Sequence, residues 1–258
     1  MKKLVKALLP LSPFIIFFLA LTAILRIFTP FASYAIDLST AGIFFTFYGV
    51  IYAILIGFLI VTVLQRFDAL AASIEEELNA IEDVRDYLTY AHEKNSAVKK
   101  VFKALHNYVK SVINKEWREM SDITKPTDSD TSPELYDIMK AVNGFKDHPE
   151  DCVLFGTLVE KISDITTLRT KRIGVADAQL PPRLKFLLLF MSLVSIIGFV
   201  FMGIGTPWVH YFVVFSVVVS IFLMYMILTD LNTPFEGIWN IDKVQFEKLE
   251  ENLNDLSK

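Results

Sequence analysis

An all-α integral membrane fold is predicted by three features of the sequence. Hydrophobic residues make up 53% of the chain and the mean hydropathy is +0.45, above what a soluble domain requires. The excess is concentrated in four blocks, Leu11–Phe31, Ile43–Leu64, Leu184–Ile204 and Val209–Leu228, each with roughly the 20 residues a helix needs to cross ~30 Å of hydrocarbon. Between the second and third blocks lie about 120 residues whose apolar positions recur at helical spacing, with almost no strand pattern. The predicted architecture is four transmembrane helices in a 2+2 arrangement around a central cytosolic helical bundle, the second span running on into the bundle. Its parts are a first hairpin at 1–64, a cytosolic domain at 65–183, a second hairpin at 184–229 and a cytosolic C-terminal segment at 230–258.

The first block follows Lys2, Lys3 and Lys6 and carries Arg26 near its end, where the side chain can snorkel or face protein. A signal peptide is the alternative, but the apolar run exceeds a typical h-region and no small-residue cleavage site follows it. The second block passes into water without changing rhythm: GFLIVTVLQRFDALAASIEEEL, from Gly57 to Leu78, is apolar to Leu64 and amphipathic from Gln65. No Gly or Pro interrupts Phe58–Asn95. One helix from Ile43 to about Ala91 is predicted, roughly 70 Å long at 1.5 Å per residue, with Ile74, Leu78, Ile81, Val84 (or Arg85) and Leu88 as a near-heptad stripe. A second cytosolic helix is predicted over 96–120, with Val101, Leu105, Tyr108, Val109, Val112 and Trp117 inward. The polar loop SDITKPTDSDTSP (121–133) separates it from helices at 133–145 and 150–180. Pro181-Pro182 then stops the chain and re-aims it into the third span.

Loop charges give an orientation. The Ser33–Thr40 connection has no Lys or Arg and the turn at 205–208 has no charge, whereas Lys2, Lys3, Lys6, Arg66, Arg169, Lys171, Arg172, Arg183 and Lys185 flank the other side. The positive-inside rule places both termini and the middle segment in the cytoplasm, in an inner or plasma membrane. A net charge of -4 carries no nucleic-acid signal. There is no phosphate loop, nucleophile elbow or paired His at helical spacing, so no enzyme is predicted. The four histidines have no ligand spacing, and neither metal nor cofactor is expected. Cys152, the only cysteine, reads as a buried small residue.

Three patterns in register resemble the bestrophin-like family long labelled a domain of unknown function and related to the bestrophin anion channels. FYGVIYAILIGFLIVTVLQRFDALAASIEEE (47–77) is similar to its second span leading into an acidic helix. YVKSVINKEWREM (108–120) with LRTKRIGVADAQLPPRLK (168–185) resembles its Tyr…Glu-Trp and Arg…Arg…Leu-Pro signatures, and LTDLNTPFEGIWNIDKVQF (228–246) its Asp…Pro-Phe-x-Gly element. The resemblance implies a homo-oligomeric ring in the lipid bilayer, a pentamer in bestrophins, with the second span lining a path for anions such as chloride. One departure is visible: only Glu236 and Asp242 follow Pro234-Phe235 closely, too few for a calcium site of about 6–8 oxygen ligands.

Gly49, Ala53 and Gly57 form a small-residue stripe that lets another helix approach, within the subunit or from a neighbour. Near the opposite face, Phe47, Ile51, Leu55 and Phe58 face lipid or, in the ring the resemblance implies, form a hydrophobic neck. Arg169, Lys171 and Arg172 read either as packing against Glu75, Glu76 and Glu77 or as a positive vestibule that concentrates anions. Glu116-Trp117 reads as a clamp within the bundle. Asp230, Pro234, Phe235 and Gly237 mark a turn that docks the C-terminal helix or couples bundle to span. Two functions follow: an oligomeric anion channel, or a non-conducting scaffold or sensor whose bundle binds a protein partner.

Overall fold

The computed structural model describes residues 11–28, 38–91, 96–122, 127, 130–147, 151–202, 204–235 and 238–256. Nine α-helices are found among them: α1 (Leu11–Phe28), α2 (Leu38–Leu88), α3 (Ala97–Ser111), α4 (Trp117–Ser121), α5 (Pro133–Asn143), α6 (Cys152–Asp177), α7 (Pro182–Phe201), α8 (Pro207–Asn232) and α9 (Val244–Leu256). A π-helical turn, Val112–Glu116, joins α3 to α4, so the helix expected over 96–120 is not uniform. The chain forms two compact units, Met1–Leu64 with Leu180–Asn232 and Gln65–Gln179 with Thr233–Lys258. α2 contributes to both.

In the first unit α1 packs on α7 and α8 through Phe18, Ile196, Val200, Val214 and Val218, with Leu25 and Phe199 at the margin. Helical stretches within 42–88, 152–201 and 207–232 are long and apolar enough to cross a membrane, and α1 is a shorter apolar helix. Leu180 N–H donates to Asn232 Oδ1 at 3.0 Å, so the start of α7 and the end of α8 are tied at one end of the hairpin. Pro182 opens α7 at a position whose missing N–H costs no helix bond.

The second unit is a helical bundle with one core. The predicted stripe Ile74, Leu78, Ile81, Val84 and Leu88 is buried there with Val101, Leu105, Val109, Leu135, Ile138, Leu158 and Ile165. α9 adds Phe246, Leu249 and Leu253, all at most 2% exposed, and His106 Nε2 lies 3.0 Å from Glu250 Oε1 across that contact. Ser132 caps α5 by accepting Leu135 N–H, with Pro133 at the first helical position. Arg66 donates to the carbonyls of Val175 and Ala176, supplying donors to the C-terminal end of α6. Cys152 is exposed, contrary to the sequence reading, because it opens α6 outside the periodic face that Leu158, Ile162 and Ile165 bury.

Candidate functional site

The membrane half of α2 has three faces. One was not singled out in the sequence: Phe45, Tyr48, Tyr52, Ile56, Leu59 and Val63 recur every three or four residues and form its packed side within the unit. Tyr48 donates its hydroxyl to Met191 O at 3.0 Å. Ser192 Oγ donates to Leu188 O, so the 3.0 Å contact between Tyr52 and Ser192 is a hydrogen bond from the phenol. The Phe45 ring stacks on Phe199 with centroids 5.7 Å apart and lies where a Cβ on Gly198 would collide with it. The tyrosines escaped the sequence reading because an aromatic inside an apolar run carries no mark of which face it serves.

The other two faces are open. Gly49, Ala53 and Gly57 are exposed, and a Cβ at either glycine would meet nothing within 4 Å. Among the described residues no helix of the same chain occupies the stripe. Phe47 and Phe58 are 68% and 66% exposed and Ile51 is 43% exposed, whereas Leu55 is half-buried beside the tyrosine row. Opposite that row, at 100° per residue, stand Val50 and Ile54, 54% and 68% exposed, with Phe58 next to them.

The bundle interior holds a closed ionic cluster built from four helical segments. Glu77 accepts from Tyr108 Oη at 2.6 Å and from Arg172 Nε at 2.6 Å. Arg172 Nη2 reaches Glu116 at 2.5 Å, and Glu116 accepts Arg169 Nε at 2.8 Å. Arg169 Nη1 also donates to Asp130 O, and Arg172 Nη1 to Met120 Sδ. The π turn carries Glu116 at its last position and leaves its side chain buried in this cluster. Burial alone opposes the Arg172 charge, but Glu77, Tyr108 and Glu116 outweigh it and raise its pKa above the ordinary arginine value. Burial, reinforced by Glu77, pushes the Tyr108 phenol well above its usual range.

This arrangement separates the three predicted basic residues. Arg169 and Arg172 are 4% and 0% exposed, and their charges are matched by two carboxylates, so they present no free charge to a water-filled chamber. Lys171 is at the surface and pairs with Glu76 at 2.6 Å. Of the acidic residues in the packing alternative, Glu76 and Glu77 pair with Lys171 and Arg172, while Glu75 is exposed. Trp117 meets Phe235 and Phe246 edge-on, with centroids 5.4 and 6.0 Å apart. At the predicted turn, Asp230 is half-buried near the end of α8, Pro234 is buried, and Pro234 O accepts Ile241 N–H at 2.8 Å. Gly237 lies outside the described residues. Among the described residues no group of three or more His, Cys, Asp and Glu side chains is placed to hold a metal.

Comparison with known proteins bears on the fold. The chain is similar in structure to a mutant of a bacterial bestrophin homologue from Klebsiella pneumoniae, with a TM-score of 0.73 at 14% identity, covering 94% of this chain and 96% of that one. A second mutant of a Klebsiella pneumoniae bestrophin homologue gives 0.70 at 17% identity over 93% and 99% of the two chains. A protein described as a membrane protein gives 0.69 at 17% over 94% and 98%. At these identities the likeness is one of fold. No curated protein matches the sequence. The model of the bestrophin-like domain matches residues 13–246, and with its long apolar helices the chain is therefore an integral membrane protein of the bestrophin-like family.

Proposed function

We propose that the protein is an oligomeric ion channel, conducting anions such as chloride, whose narrowest part is a hydrophobic neck on the membrane half of α2. The observation that carries this reading is the unfilled surroundings of that helix. It packs on one side through the Tyr48–Val63 row, while the Gly49, Ala53, Gly57 stripe stands open to closer neighbours and large apolar residues project from the remaining side. Copies of the helix arranged about one axis satisfy both features. The stripe admits the adjacent copy, and Phe47, Ile51 and Phe58, with Val50 and Ile54, close the axis by dewetting. The resemblance to bestrophins suggests five copies. Loop charge puts both termini in the cytoplasm of an inner or plasma membrane.

A non-conducting scaffold is the second reading, favoured by the same exposed apolar side chains, which suit lipid equally well. Halide flux into proteoliposomes separates the two. Shrinking the neck with Phe47→Ala, Ile51→Ala or Ile54→Ala raises flux in a channel, whereas Leu187→Ala and Val213→Ala on other spans leave it unchanged. An intact ring that passes no halide with or without these substitutions is a scaffold.

A further inference from the structure

In the first turn of α8, His210 is fully buried and both of its ring nitrogens are engaged. Arg26, near the end of α1, places Nη1 at 2.8 Å from His210 Nδ1 and 3.1 Å from Ile204 O, and Nη2 at 3.3 Å from Gly205 O. A guanidinium can only donate, so Nδ1 is the acceptor and the imidazole is neutral. Its single proton is then on Nε2, 3.1 Å from Phe199 O, to which it donates. The ring state is set by its partners. Below this contact α1 meets the α7–α8 pair through an apolar cluster of Phe18, Leu25, Ile196, Val200 and Val214.

We propose that Arg26 and His210 form a pH-operated latch holding the end of α1 against the α7–α8 turn. Protonation at Nδ1 abolishes the acceptor and sets two cations within hydrogen-bond distance; their repulsion opposes the bonds to the Ile204 and Gly205 carbonyls and loosens the end of α1. Among the described residues, the titratable and charged groups facing the ring are Arg26 from α1 and the Tyr211 phenol, stacked 6.4 Å away on the same helix. α7 offers backbone carbonyls. An imidazole released from these contacts titrates between about pH 5 and 8, so mild acid favours the open arrangement. Which side of the membrane delivers it rests on the orientation proposed above; the latch itself depends on neither orientation nor conduction.

Hydrogen–deuterium exchange on the full-length protein in detergent tests this at pH 7.5 and pH 5.0, with labelling times scaled for the intrinsic pH dependence. Wild type, His210→Gln and Arg26→Met are compared. Glutamine keeps an acceptor for Arg26 and a donor for Phe199 O but does not titrate. In wild type, protection of residues 19–28 is expected to fall by about tenfold or more on acidification, as local opening becomes easier. His210→Gln should hold its protection at both pH values, and Arg26→Met should show the open behaviour already at pH 7.5. The latch is overturned by an equal acid response in wild type and His210→Gln, by no response in wild type, or by wild-type protection in Arg26→Met at pH 7.5.

Discussion

Four ionised groups sit at the centre of the bundle, and what matters for each is which partner it would leave behind. Arg172 is shared by Glu77 and Glu116; its removal leaves buried Glu77 with no cation and only the Tyr108 hydroxyl, and Glu116 with Arg169 alone. Arg172→Met is therefore expected to cost about 3–5 kcal/mol, seen as a large fall in melting temperature, while adding Glu77→Gln to it recovers part of the loss. A double variant no better than the single would show that the cluster is not coupled. Tyr108 gives a test with a sign. Its folded pKa is raised by burial and by Glu77, so the folded protein keeps a proton that the unfolded chain releases near pH 10. The stabilisation is complete below that pH and is lost as pH rises past it. Wild type should thus exceed Tyr108→Phe by about 1.5–3 kcal/mol at pH 8, and the gap should narrow above pH 10. Parallel curves would remove Tyr108 from the cluster.

For the helices, the periodicity that revealed them also shows where sequence reading stops. The stripe Ile74, Leu78, Ile81, Val84 and Leu88 was legible because water on one side and core on the other leave a charge pattern between apolar positions. In the membrane half of α2 both environments are apolar, so spacing alone could not separate the Tyr48, Tyr52, Ile56 row from its neighbours. Burial in the folded unit separates them. The π turn was equally silent, since one extra residue in a helix leaves no mark in VINKE. Cluster partners far apart in sequence, such as Glu116 and Arg169, were visible only as charges needing an explanation. The open stripe yields a test at this scale. At Gly57 an added Cβ meets no described atom within 4 Å, and Gly57→Leu replaces a poor helix former by a good one, worth up to about 1 kcal/mol. Monomer folding should survive while the mass of the purified particle falls towards that of one chain. An unchanged mass would move the subunit contact off this stripe.

At the level of the whole molecule the open question is which way the chain faces, because a vestibule and an outer mouth exchange places if it is inverted. The distribution of Lys and Arg favours cytosolic termini, and the rule acts during insertion, before Arg169 and Arg172 find their carboxylates. Their burial in the folded bundle therefore does not weaken the argument. Single cysteines at Ser39 and Ser129 test it with a membrane-impermeant maleimide on intact cells. Cys152 is exposed and has to be replaced by serine first, or it reports alongside Ser129. The expected outcome is labelling at position 39 and none at position 129 until the membrane is opened. Labelling at 129 alone would invert the molecule and turn the acid-sensitive end of α1 towards the cytoplasm. Labelling at both positions would put them on the same face, and it would remove α2, which carries the one predicted span between them, from the list of complete crossings. Only the expected pattern lets acid outside the cell reach Arg26 and His210 while the bundle stays inside.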